Sequence, residues 1–326
     1  MPLPRNNLYP DFNISRLSHI ELGVKDLEAS FAFYVETLGL QVTEKESNYI
    51  YLRGMEERGH HSVILKKSEK PTCNVLGYKV FDEEQLYKAE NYFNSKNIKT
   101  KWIERPFQGK TLLTHDIHGI PIEFYYQMDR LPTIHQKYKL YNGVKPLRID
   151  HFNVFSINVD ESVKFYSDLG FRVTEYTEDE KSKKLWAAWM HRKGTVHDIA
   201  FTNGVGPRLH HVAFWVPTPM NIIDLLDVMS TTGYIENIER GPGRHGISNA
   251  FFLYIRDPDG HRTEIYCSDY QTVDTDHEPI KWDLKDPQRQ TLWGAPAPKS
   301  WFEEGSHFDK IEPKEPALKA QPIVAP

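Results

Sequence analysis

The chain of 326 residues holds only two cysteines, Cys73 and Cys267. That excludes a disulfide framework and a cysteine-rich metal site, so any metal must rest on histidine and carboxylate, and a reducing compartment fits. No apolar run approaches the roughly 20 residues needed to span a bilayer. The opening MPLPRNNLYPDF lacks the apolar stretch of a secretory signal, so the cytoplasm is the expected location. A long basic run is missing too. With a net charge of −5, neither nucleic acid nor an anionic membrane is expected as a partner, and a small molecule is. What the chain does have is apolar material, 39% of residues with aromatics at 13%, enough at this length for the cores of two domains.

An internal repeat organises it. HIELGVKDLEASFAFYVETLGLQVTEK from His19 is echoed by HFNVFSINVDESVKFYSDLGFRVTEY from His151. Each copy predicts a period-2 strand followed by a helix with apolar residues at Leu27, Phe31, Tyr34 and Leu38, or at Val159, Val163 and Tyr166. Gly39 and Gly170 end those helices as caps. A second strand–helix unit begins near Gly77 and again near His210, and the turns DIHG (Asp116 to Gly119) and DPDG (Asp257 to Gly260) place glycine where a tight hairpin needs positive φ. The expected fold is α+β, four βαβββ modules paired into two homologous domains. The expected divisions are an N-terminal arm (1–14), a first domain (15–130), a linker (131–148), a second domain (149–268) and a tail (269–326) that reads as an extended arm over the surface.

In the second half, His151 in IDHFNVF, His211 in LHHVAFW and Glu264 in GHRTEIY fall on three predicted strands. Two imidazoles and one carboxylate on one face leave coordination positions open, as suits an iron(II) that must bind further ligands. A lone strand histidine is more often structural, and Glu264 alone reads equally as a solvated carboxylate. The repeat supplies a control. His19 stands at the position of His151 and Glu123 at that of Glu264, while Tyr78 is expected at that of His211, since His19 and Tyr78 lie 59 residues apart and His151 and His211 lie 60 apart. On that reading only the second half keeps a complete triad.

These residues resemble the type I extradiol dioxygenases of the vicinal oxygen chelate superfamily, most closely the homoprotocatechuate (3,4-dihydroxyphenylacetate) 2,3-dioxygenases, over about Arg16 through the tail signature DPQRQTLWG. The resemblance implies domains built as open mixed-sheet barrels of the vicinal oxygen chelate fold, the first (15–130) non-catalytic and the second (149–268) catalytic with a mononuclear Fe(II) or Mn(II) on His151, His211 and Glu264, one per subunit, and a tail (269–326) that partly covers the active site. It implies ring cleavage of 3,4-dihydroxyphenylacetate by O2 to 5-carboxymethyl-2-hydroxymuconate semialdehyde, in a homotetramer. His197 matches the family's acid–base histidine, whose ordinary pKa near 6.5 suits taking a catechol proton and returning it. Tyr254 matches a tyrosine that hydrogen-bonds the substrate oxygen. Asn153 and Trp189 match positions whose amide and indole donors orient bound oxygen atoms. Arg240, His245 and Arg289 match the positions that hold the acetate side chain, the arginine fork suiting a carboxylate. Arg244 is expected to face solvent. Three alternatives stay open at this stage: an extradiol dioxygenase for an uncharged catechol, a glyoxalase-like metal isomerase, and a non-catalytic binding protein on the same fold.

Overall fold

The structure is a computed structural model and describes residues 3–319. Its elements follow the four expected modules. The first comprises β1 (Ile14–Val24), α1 (Leu27–Phe31), β2 (Gln41–Lys45), β3 (Tyr49–Arg53) and β4 (Val63–Lys67). The second comprises β5 (Thr72–Val80), α2 (Glu84–Ser95), β6 (Lys101–Arg105), β7 (Gly109–His115) and β8 (Pro121–Tyr125). The third comprises β9 (Arg148–Ser156), α3 (Val159–Asp168), β10 (Arg172–Glu178), β11 (Leu185–His191) and β12 (Ile199–Asn203). The fourth comprises β13 (Arg208–Trp215), α4 (Pro219–Thr231), β14 (Ile238–Arg244), β15 (Phe251–Arg256) and β16 (Arg262–Cys267).

Local chemistry explains these elements. α4 starts with a capping box in which Thr218 and Asn221 serve each other's backbone, and Pro219 takes the first turn, where its missing N–H costs nothing. Gly39 and Gly170 cap the first and third modules' helices at φ +90° and +84°, a region closed to most side chains. Helix α1 departs from the expected regular helix, because Ala32–Thr37 continues it as a π-helical turn.

Each half forms one mixed sheet. The N-terminal order is β2-β3-β4-β1-β5-β8-β7-β6, and the C-terminal order runs β10-β11-β12-β9-β13-β16-β15-β14. The tail extends the second sheet with β17 (Ile280–Asp283) beside β10, β18 (Trp293–Gly294) beside β14 and β19 (Ser306–His307) beside β13. One apolar core runs through both halves. It joins them through contacts such as the Tyr78 ring edge-on to Phe171 at 5.8 Å and to Phe152 at 6.5 Å.

The register corrects one expectation. Ala213 pairs with both His151 and Glu264, while Gly77 pairs with both His19 and Glu123. Val75 therefore takes the place of His211, standing opposite Glu21 as His211 stands opposite Asn153. Tyr78 lies three residues further along and packs between the halves.

Candidate metal centre and active site

β9, β13 and β16 are adjacent, so His151, His211 and Glu264 project from neighbouring strands into one space. Glu264 Oε2 lies 2.9 Å from His151 Nε2 and 3.1 Å from His211 Nε2, and the two nitrogens are 3.3 Å apart. All three side chains are buried. Among the described residues no other group of three or more His, Cys, Asp and Glu converges this closely.

Neighbouring hydrogen bonds orient both imidazoles. His210 Nε2 donates to the Trp301 carbonyl at 2.9 Å, so His210 Nδ1 is an acceptor and takes the His211 Nδ1–H at 2.7 Å. The Nε2 lone pair of His211 then faces Glu264. His151 Nδ1 donates to Asp150 at 3.1 Å, and Asp150 is also held by the Tyr266 hydroxyl. Burial brings His211 down to about 4, so its ring is neutral at pH 7. Burial works against the Glu264 charge, but hydrogen bonds and charge from His151 and His211 overcome it and hold the carboxyl well below its usual range. Two orientable imidazole nitrogens and one carboxylate oxygen within hydrogen-bond distance of each other form a donor set that fits iron(II) or manganese(II).

A single cavity opens on this centre, and every site residue expected from the sequence lines it, together with Phe155, Trp186, Trp301 and Phe302. His197 precedes β12 with its ring centroid 3.8 Å from that of His151. Its Nδ1 is buried with no hydrogen-bond partner among the described residues. Burial, then the charges of His151 and Lys193, hold it well below 6.5 and keep it neutral. Tyr254 on β15 meets His245 Nε2 at 2.9 Å, and burial pushes its phenol well above the usual range. Asn153 on β9 accepts from the Thr202 hydroxyl at 3.2 Å. Trp189 stands on β11, opposite Ala200.

Arg240 on β14 is buried. Its Nη2 donates to the Gln290 carbonyl at 3.1 Å and to Thr291 at 2.8 Å, while Nε and Nη1 have no partner among the described residues. Arg289 is equally buried and donates from Nε to the Leu284 carbonyl at 3.1 Å. Burial lowers both guanidinium groups to about 10, which leaves them cationic at neutral pH. His245 donates from Nδ1 to the Gln290 carbonyl, and burial holds it neutral at about 3. The expected outlier Arg244 bonds the Asn249 carbonyl at the exposed margin.

Sequence reasoning missed three supports. Asp150 and His210 orient the two histidines, and the only hint was that each directly precedes one of them. Glu175 on β10 is buried and accepts from the Ser248 N–H at 2.7 Å, the Tyr270 hydroxyl at 2.6 Å and Trp282 Nε1 at 2.5 Å. One carboxylate thus ties the His245–Asn249 loop to two points of the tail. Nothing local in VTEYTE distinguishes it from a solvated strand residue.

Comparison with known proteins agrees with this geometry. The model of the Glyoxalase/Bleomycin resistance protein/Dioxygenase superfamily matches residues 16–101 and 148–265. A metapyrocatechase of Geobacillus stearothermophilus is 30% identical over 93% of this chain and 97% of its own length. A manganese-dependent 2,3-dihydroxybiphenyl 1,2-dioxygenase of Geobacillus genomosp. 3 is 30% identical over 87% of this chain and 94% of its own. Among solved structures, homoprotocatechuate 2,3-dioxygenase of Brevibacterium fuscum, in its anaerobic complex with 3,4-dihydroxyphenylacetate, is 43% identical with a TM-score of 0.89, over 93% of this chain and 96% of that one. The enzyme of the same name from Arthrobacter globiformis is 40% identical with a TM-score of 0.90, over 96% and 99%. The chain belongs to the Glyoxalase/Bleomycin resistance protein/Dioxygenase superfamily and, within it, to the extradiol ring-cleaving dioxygenases.

Proposed function

We propose that this chain cleaves the ring of 3,4-dihydroxyphenylacetate with O2, beside the diol, to give 5-carboxymethyl-2-hydroxymuconate semialdehyde. The observation that carries this reading is the buried Arg240, which lines the cavity with His151, His211 and Glu264 and whose Nε and Nη1 have no partner among the described residues. A buried guanidinium held by one nitrogen to neutral acceptors alone is costly and calls for an anion, and the acetate arm of this catechol supplies one. Arg289 adds a second cationic group on the same cavity, and His245, bonded to Tyr254, orients the wall between them.

His151, His211 and Glu264 would hold the iron(II) or manganese(II), which would supply Lewis acidity that favours the deprotonated catechol and redox chemistry toward O2. The protein's own groups do the rest. His197, neutral and beside the metal ligands, accepts a proton from the substrate hydroxyl at its unprotonated nitrogen and returns it as the ring opens. Tyr254 stays a phenol, and its single hydroxyl hydrogen, given to the His245 Nε2 acceptor at 2.9 Å in the free site, turns to a substrate oxygen when one binds. Asn153 and Trp189 offer amide and indole donors to the oxygen atoms, and the aromatic walls keep water out.

The reading includes the division into arm (1–14), N-terminal domain (15–130), linker (131–148), catalytic domain (149–268) and covering tail (269–326). Half-exposed Trp293 and Leu292 on the tail support association into a homotetramer. Two buried, unbridged cysteines support a cytoplasmic location, and among the described residues no helix is long and apolar enough to cross a membrane. The test is anaerobic loading with iron(II) or manganese(II), followed by oxygen uptake with 3,4-dihydroxyphenylacetate and with catechol. Preference for the carboxylated substrate is expected. Preference for the neutral one would overturn the assignment of Arg240 and Arg289.

A further inference from the structure

The paired register that relates the two sheets assigns a partner to each residue of the metal centre. Val63 lies opposite Ile20 as Ile199 lies opposite Phe152, so His61 answers to His197. Tyr51 opposite Ile64 answers to Trp189 opposite Ala200. Glu21 answers to Asn153 and Val75 to His211. Arg105, opposite Gly109, answers to His245, whose N–H bonds Ala250. The N-terminal half therefore keeps His19, His61 and Glu123 of the constellation.

Its buried carboxylates are nevertheless compensated. Glu123 Oε1 accepts from His19 Nε2 at 2.8 Å and Gln108 Nε2 at 2.9 Å. Glu123 Oε2 accepts a fork from Arg105, Nε at 2.9 Å and Nη2 at 2.7 Å. The third arm of the same guanidinium, Nη1, reaches Glu21 Oε2 at 2.7 Å. Glu123 is fully enclosed and Glu21 nearly so, and two buried carboxylates this close to one group need a cation. Burial would raise Glu123, yet the bond and charge of His19 and the charge of Arg105 hold it at about 2. The backbone is fitted to this arrangement as well, since a Cβ on Gly77 would come within 2.1 Å of the His19 ring.

We propose that the N-terminal sheet is a metal site converted to a guanidinium site: Arg105 supplies against Glu123 and Glu21 the charge a divalent ion would supply, and Val75 removes the second imidazole that ion would need. Arginine suits the exchange because its charge is permanent and its planar fork matches a carboxylate edge. The donor set left behind is latent, and it accepts an ion once the guanidinium is gone and the imidazole restored.

The test counts cobalt(II) per chain by mass spectrometry after gel filtration, in wild type, Val75→His, Arg105→Ala and the Val75→His/Arg105→Ala double variant. The double variant is expected to hold one more equivalent than wild type, and Val75→His alone none, because Arg105 still fills the site. The difference between chains carries the result, so it is independent of how well the C-terminal site loads, and oxygen uptake at that site reports that each variant is folded. A folded, active double variant with no extra equivalent overturns the proposal, as does an extra equivalent in Val75→His alone. Should the double variant not fold, Arg105→Lys and Arg105→Met decide: the lysine variant, which keeps a cation beside Glu123 and Glu21, should unfold at a higher temperature than the methionine variant, and equal unfolding temperatures overturn the proposal.

Discussion

Arg240→Met separates the charge of this residue from its packing. Methionine is an unbranched side chain that still lies against the Trp301 and Phe252 rings, whose centroids are 4.7 and 4.9 Å from the guanidinium carbon. It deletes the two donors that face the cavity unpaired. Burial brings this guanidinium from 12.5 down to about 10, which at 1.36 kcal/mol per tenfold is a penalty of about 3 kcal/mol on the bare charge. A substrate carboxylate beside it recovers that penalty, and breaking a buried charged pair costs about 2–5 kcal/mol in general. About 3 kcal/mol corresponds to roughly 150-fold. The expected outcome is a fall of that order in kcat/KM for 3,4-dihydroxyphenylacetate, against a change of less than about fivefold for unsubstituted catechol, which has no carboxylate to lose. Oxygen uptake on both substrates, with one metal loaded throughout, measures the two factors. An equal loss on both would refute the reasoning, because it would assign Arg240 to the shape of the cavity rather than to the charge of its ligand.

Other perturbations address the remaining parts. His211→Ala removes one of three metal donors, so the metal retained after gel filtration should drop well below that of wild type with turnover following it; full retention of both would contradict the assigned triad. His197→Phe should cost about 10²–10⁴-fold in turnover with metal content unchanged, and wild-type turnover would remove its acid–base role. Glu175→Gln weakens the carboxylate that ties Ser248, Tyr270 and Trp282 together. A loss of about 1–3 kcal/mol should appear mainly as a rise of about 5- to 150-fold in KM for 3,4-dihydroxyphenylacetate, and a fall in kcat alone would exclude a positioning role. Asp116 is buried with one oxygen taking the His118 and Ile120 N–H groups and the other without a partner among the described residues, and burial raises it from 3.8 to about 7. Between those values the folded chain holds a proton that the unfolded chain has released, so stability falls as pH rises from about 4 to about 7, by at most about 4 kcal/mol. Asp116→Asn keeps the accepting oxygen without the charge, so its unfolding temperature should gain on wild type from pH 5 to pH 8, and a constant gap would exclude the buried charge as the cause.

The strands of the proposed metal centre were legible because each candidate ligand sits in a period-2 segment that occurs twice, and the repeat turned two ordinary histidines and a glutamate into a set. The same arithmetic misled at Tyr78. His19 lies 44 residues before Val63, whereas His151 lies 48 before Ile199, so equal counting slips past Val75, and only backbone pairing reveals where the copies shorten. Glu175 and the tail strands escaped for a related reason. Their partners are 73 to 107 residues away, and a two-residue strand such as Trp293–Gly294 has no periodicity to read. Arg105 is the sharper case. In KWIERPFQG it reads as one charge in an alternating edge strand, and its meaning depends on Glu21 and Glu123, 84 and 18 residues away. The missing imidazole could be inferred from the sequence, but the cation that answers the remaining carboxylates could not, because burial turns a surface-like charge into a required one and burial is a property of the assembled sheet.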